Sequence, residues 1–232
     1  MTLQDIETKH NFEFPLLYKQ LDNDGMLNIG EYGPNWYAEV YALLKQNPSL
    51  LLHSYDFELL NSKSVNEAIE ELQDPEDYRQ VKKEFKFIPF AQSGAGDHYC
   101  FFLNEEKDGN IPIVYLWHDS NEINYLAKNL QDFIFKMILT DMANQDLYNK
   151  VSDEEFRTNI ESVFRTHKKY LSTEQNNVLT DILNREIIDY EIQLPRMKEP
   201  ARGLLTDLEL KTLLDQIIPF EKMDQSFEYS NE

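Results

Sequence analysis

Apolar residues recur at helical spacing over much of the chain, and one central stretch departs from that rhythm. Trp36, Tyr37, Val40, Tyr41 and Leu44 follow one another at the spacing of a helix face, which predicts an amphipathic helix over residues 36–45, stopped by Asn47-Pro48. Pro15 suits a first helical turn, with Leu16, Leu17 and Leu21 behind it and a turn at Asn23-Asp24-Gly25. Ser64 followed by Glu67 reads as a capping box opening a helix that carries Ala68, Ile69 and Leu72. The pattern then changes. Phe87-Ile88-Pro89-Phe90-Ala91 is a short apolar run, a Gly-rich loop follows, and the aromatic-rich His98-Tyr99-Cys100-Phe101-Phe102-Leu103 predicts a strand with Ile111-Pro112-Ile113-Val114-Tyr115-Leu116-Trp117 as the returning strand. Pro112 belongs near the start or the edge of the last of these.

Helical spacing returns with Leu126, Leu130, Phe133, Ile134 and Met137. Ser152 with Glu155, Ser172 with Gln175 and Thr206 with Glu209 open three further helices, and Pro195 and Pro200 mark a linker. The expected class is therefore α+β, with an all-helical extension over residues 141–232 that ends in a polar tail.

Composition narrows the function. The chain has 232 residues with Lys+Arg 22 against Asp+Glu 42, a formal net charge of -20. Such a field repels phosphate backbones and anionic lipid, so nucleic acid and membrane surfaces are disfavoured, and a protein partner with a basic surface is favoured. Cys100 is the single cysteine, which rules out an intrachain disulfide and fits a reducing compartment. Residues 1–7 lack the basic and apolar blocks of a signal peptide, and the longest apolar run, 133–139, holds Lys136. A cytoplasmic location is the expectation.

Candidate chemistry is sparse. Asp97, His98, His118 and Asp119 fall at the ends of two predicted strands that pair, and on paper they match the ligand count of a zinc site or an acid/base cluster. The plainer reading is that they cap strand ends and bond loop backbone. Gly94-Ala95-Gly96 lacks the Lys-Ser/Thr of a phosphate loop, and Cys100 sits mid-strand as a buried thiol. The stripe through Trp36 and Tyr37 suits a core face. With the acidic, aromatic run Glu31-Tyr32 ahead of it, it also suits an interface. Glu105-Glu106-Lys107-Asp108 is an acidic loop tip.

The central runs also have a specific look. Ile88-Pro89-Phe90, then a Gly-rich turn, then Gly96-Asp97-His98-Tyr99-Cys100-Phe101, then Ile113-Val114-Tyr115-Leu116-Trp117-His118-Asp119, and finally Leu126-Ala127-Lys128-Asn129-Leu130 stand in order, with Phe14-Pro15-Leu16-Leu17-Tyr18 near the start. Over residues 1–140 this resembles the SUKH superfamily, the Smi–Knr cell-wall-regulator-like family. The resemblance implies a curled, mostly antiparallel sheet packed with helices, no cofactor and no metal, and no enzymatic activity. It also implies a cytoplasmic immunity protein that occludes a cognate secreted toxin domain, often a nuclease; the alternative is a regulatory scaffold of the cell-wall type. The expected domains are 1–140 and 141–232. The residues expected to meet the partner are Glu31, Tyr32, Trp36, Tyr37, Asp97, His98, Glu105, Glu106, Asp108, Asp119 and Glu122.

Overall fold

The computed structural model describes residues 1–30, 33–145 and 151–230. Its backbone contacts divide the chain into two compact units. The first comprises Met1–Glu31, Asp56–Phe133 and Phe220–Glu232, and the second Tyr32–Tyr55 and Ile134–Pro219.

The first unit is built on a six-stranded antiparallel sheet. Its strands are β1 (Glu58–Leu59), β2 (Phe87–Gln92), β3 (His98–Phe102), β4 (Ile113–Leu116), β5 (Glu122–Ala127) and β8 (Ser226–Glu228), in spatial order β1-β2-β3-β4-β5-β8. Helices α1 (Leu3–His10), α2 (Leu16–Asn23) and α4 (Ser62–Gln73) belong to this unit. The register shifts between Pro89 and Ala91, where β2 is paired on both sides; Pro89 has no N–H to give, and a bulge accommodates it.

Every residue of β3 is buried because both faces of the sheet are covered, so the strand reads as a continuous apolar run with no alternation. On one face Phe101 meets Phe90, Tyr18 and Phe14 at ring distances of 4.6, 5.2 and 6.3 Å. On the other, Phe102 stacks on Phe87 at 4.9 Å and on Phe227 at 5.3 Å.

Two expectations change here. The last residues are not a polar tail. Residues 220–230 bring Phe220, Phe227 and Tyr229 onto the second face, pair β8 with β5, and bury Tyr229, whose hydroxyl donates to the Ser120 carbonyl at 2.7 Å. Burying aromatic side chains of this kind stabilises by about 2 kcal/mol each, more than enough to recruit a short segment. The helix expected to open at Ser64 starts earlier: Asn61 is the cap, its side chain accepting from Lys63 N and Ser64 N, both at 3.0 Å.

The second unit contains a π-helical turn (Tyr37–Tyr41) running into α3 (Ala42–Leu44), most of α5 (Leu130–Ala143), α6 (Asp153–His167), α7 (Thr173–Leu183) and α8 (Asp207–Ile217). The expected boundary at 140 falls inside α5, which begins in the first unit and continues in the second. Serine and threonine caps predicted at Ser152, Ser172 and Thr206 are in place, with a full reciprocal box at Ser172 and Gln175.

This unit is not wholly helical. β6 (Ile188–Gln193) and β7 (Lys198–Gly203) form a two-stranded antiparallel ribbon where a linker was expected. Pro200 is tolerated because a two-stranded ribbon leaves an outer edge on each strand where no N–H is needed. The ribbon root is tight: Tyr190 Oη donates to the Ala143 carbonyl at 2.8 Å, and a Cβ on Gly203 would lie 1.9 Å from that same oxygen. Within the unit, the segment 48–55 is held by two polar anchors. Ser54 Oγ donates to Asp141 at 2.6 Å, and His167 Nε2 accepts from Leu51 N at 3.0 Å, with Leu51 held at φ 52.

Candidate functional site

The strand-end cluster predicted from sequence exists, and its center is Asp97. The turn between β2 and β3 is closed by Ser93, whose Oγ accepts from Ala95 N and Asp97 N, with Gly96 at φ 97. This turn aims the Asp97 carboxylate into the interior at 3% exposure. There Oδ2 accepts from Ser93 Oγ at 2.8 Å and from Tyr115 Oη at 2.7 Å, while Oδ1 accepts from His118 N and His118 Nδ1, each at 2.8 Å. Burial alone pushes this carboxyl up. The hydrogen bonds outweigh it, that from the His118 backbone first, and hold it at about 2.

Asp97, His118 and Asp119 each offer a donor atom within 4.8 Å of the others. A carboxylate has about four lone-pair sites, and all four of Asp97's are already taken by N–H or O–H donors. A cation there would have to break bonds that fix the β2–β3 turn and the end of β4. The cluster therefore does what the plainer sequence reading expected: it ties strand ends together.

His98 does not join it. Its Nδ1 lies 3.4 Å from Arg79 Nη1, and burial, helped by the Arg79 charge, pulls it down to about 4, so it is neutral at pH 7. Arg79 is itself buried and forks onto Asp77 at 2.7 and 2.8 Å. Cys100 is fully buried, and burial pushes its thiol up, which makes it an inert core residue. Asp97 and His98 were expected at a partner surface; the structure places both inside, because their polar atoms are satisfied there.

The remaining expected residues separate into three places. Glu31 and Tyr32 lie outside the described residues. In the loop between β3 and β4, Glu105 is used internally: it accepts from Tyr125 Oη at 2.7 Å and pairs with Lys222 at 2.7 Å. Its neighbours Glu106 and Asp108 face solvent. Asp108-Gly109 forms the tip, with φ 53 and 77, closed by reciprocal Lys107–Asn110 bonds at 2.9 Å. Glu106 and Gly109 also line an open groove of about 990 Å³, whose apolar wall includes Phe12, Pro15, Leu16 and Ile111. Leu16 is 84% exposed there.

Asp119 and Glu122 are exposed in the next turn, at the opposite end of β4, so the acidic residues do not form one patch. Beside them stands Trp117, exposed and bonded through Nε1 to Asn124 at 2.6 Å. Sequence reasoning passed over it because it closes a strand run. Trp36 and Tyr37 sit in the second unit on the helical segment 36–44, and here the expectation of a core face is not met: no residue of the π turn or of α3 is buried.

No helix among the described residues is long and apolar enough to cross a membrane. No curated protein and no solved structure matches the chain. A family model does match, over residues 2–136, more than half of the chain and including the whole run from β1 to β5. The motif residues have now been located. Ile88-Pro89-Phe90 is β2, Asp97 is the hub of the strand-end network, and 113–119 is β4 with the turn that bonds Asp97. This chain belongs to the SMI1/KNR4 family, SUKH-1.

Proposed function

We propose that the protein is an immunity protein: it binds a basic toxin domain, such as a nuclease, in the cytoplasm and neutralises it by non-covalent occlusion. The observation that carries this reading is a division of labour within the family-matched region. The residues that resemble catalytic groups, Asp97, His98 and Cys100, are buried and used by the fold, whereas Glu106 and Asp108 stand exposed and Glu106 borders an apolar groove. An apolar floor beside carboxylates is suited to a basic protein surface, with the charges raising the encounter rate and the apolar contact slowing release. No chemical step is required of the chain.

The test is a pull-down with the protein encoded immediately upstream, followed by titration of that partner's toxic activity. Stoichiometric binding with loss of activity supports the reading. Binding that leaves the activity intact, or no binding, shifts the reading to a regulatory scaffold.

A further inference from the structure

The helical segment 36–44 is apolar on all sides except for Glu39, and none of its residues is buried. A helix of that composition is normally found inside a protein. Here Tyr37 is 75% exposed and Leu43 is 71% exposed. The π turn arranges the rings. Its wider spiral places residues five apart near one another, so Trp36 meets Tyr41 at 5.7 Å; Tyr37 lies between them in sequence and meets Tyr41 at 5.0 Å and Trp36 at 5.6 Å. The result is a contiguous aromatic face.

Charge narrows what the face accepts. Residues 33–44 include Glu39 and no Lys, Arg or His. The next cation, Lys45, is already bound to Glu155 at 2.7 Å. Elsewhere the protein supplies its own cation to an exposed ring, Arg79 over Tyr78, and to two buried ones, Lys169 over Tyr170 and Lys222 over Tyr125. Among the described residues, no Lys or Arg lies over the Tyr37 or Tyr41 ring in this way. A second copy of the chain would bring the same acid to the face and a net charge of -20 to the encounter, so self-association is the poorer match.

We infer that the aromatic face of residues 36–44 is a docking site for an arginine-bearing protein segment, whose guanidinium groups lie over the Tyr37 and Tyr41 rings. Arginine fits better than lysine because its planar, weakly hydrated head stacks on aromatic faces. The inference stands on the second unit and does not depend on the acidic loop or on the partner being toxic.

The experiment uses the full chain carrying Trp117→Phe, which leaves Trp36 as the only indole. Octa-arginine is titrated at about 0.5 M salt, where diffuse attraction to an acidic protein is largely screened. The expected result is a saturable change in Trp36 emission, with affinity falling about tenfold on adding Tyr37→Leu and Tyr41→Leu and unchanged on adding Tyr78→Leu. The urea midpoint of each variant checks that it is folded, and the Trp36 response of the chain without tyrosine changes needs no helix variant. An unchanged Trp36 emission, or equal binding by the double tyrosine variant, overturns the inference. So does a peptide-independent dimer in sedimentation that Tyr37→Leu abolishes, which would assign the face to a second copy.

Discussion

Asp97 and Tyr37 invert the usual rule of polar outside and apolar inside, for opposite reasons. Asp97 is 3% exposed, yet each of its oxygens accepts two hydrogen bonds, so the cost of removing it from water is met inside the chain. Tyr37 is 75% exposed on a helix with no buried residue, so nothing in the described chain compensates for that apolar surface. The difference separates residues that build the protein from residues left available to something else. Interior polar atoms at the Asp97 cluster are complete, and the Tyr37 ring stands open to solvent.

The comparison breaks most visibly at Asp97. Asp97→Asn gives the site two N–H donors where four donors already converge, and should lower unfolding free energy by about 3 kcal/mol, read from urea denaturation. A loss under about 1 kcal/mol would mean that the cluster is not the structural hub described.

Acid should sharpen it next, through His167. This imidazole is fully buried, bonds the Val163 carbonyl through Nδ1 at 2.7 Å, and accepts from Leu51 N at Nε2. A proton at Nε2 would face that N–H. Burial, the largest cause, pulls the group from 6.5 down to about 4. The unfolded chain therefore binds more protons between those values, and stability falls as pH drops from about 6.5 toward 4 and is flat above. His167 should account for about 2 kcal/mol of the loss by pH 5, and His167→Asn should make the slope shallower by that share; His53 and His98, also pulled down to about 4 by burial, keep the rest. Asp97, held at about 2, adds nothing to the slope in this window; its contribution is lost only as pH falls below 3.8 and through 2.

A smaller effect separates neighbours in one loop. Glu105→Lys breaks the bonds to Tyr125 and Lys222 and should cost about 1 kcal/mol, whereas Glu106→Lys and Asp108→Lys should change stability by less than about 0.5 kcal/mol. The latter pair should instead slow association with a basic partner, more at low salt than at high salt. A salt-independent association rate would remove the loop from the interface. The smallest stability effect is expected at Tyr37→Ser, within about 0.5 kcal/mol of the parent by thermal unfolding. A larger loss would show that the ring face is packed.

Legibility followed the range of the interactions involved. The strands β3 and β4, the tip at Asp108-Gly109 and the caps at Ser152, Ser172 and Thr206 were readable because each is set by neighbours within a few residues. The ribbon was missed although Ile188, Tyr190 and Ile192 alternate with Asp189, Glu191 and Gln193; Pro195 and Pro200 outweighed that signal in a linear reading. The C-terminal strand was missed because Phe220, Phe227 and Tyr229 are too widely spaced to mark an element. They matter only against Phe102 and Tyr125, roughly a hundred residues away in sequence. Of the candidate site, the convergence of Asp97, His118 and Asp119 was readable from strand pairing. The internal use of Glu105 and the exposure of Trp36 and Tyr37 were not, since a side chain's type does not say whether a distant element will reach it.

By itself the sequence determined an acidic α+β chain, its local elements and, through its ordered motifs, its family. Periodicity, capping and net charge are short-range or additive properties, so they survive being read along a line. Tertiary structure alone decided which carboxylates are spent and which are offered. That choice depends on whether donors from β4, β5 and the C-terminal segment arrive at hydrogen-bond distance, and arrival is settled only when the sheet has formed.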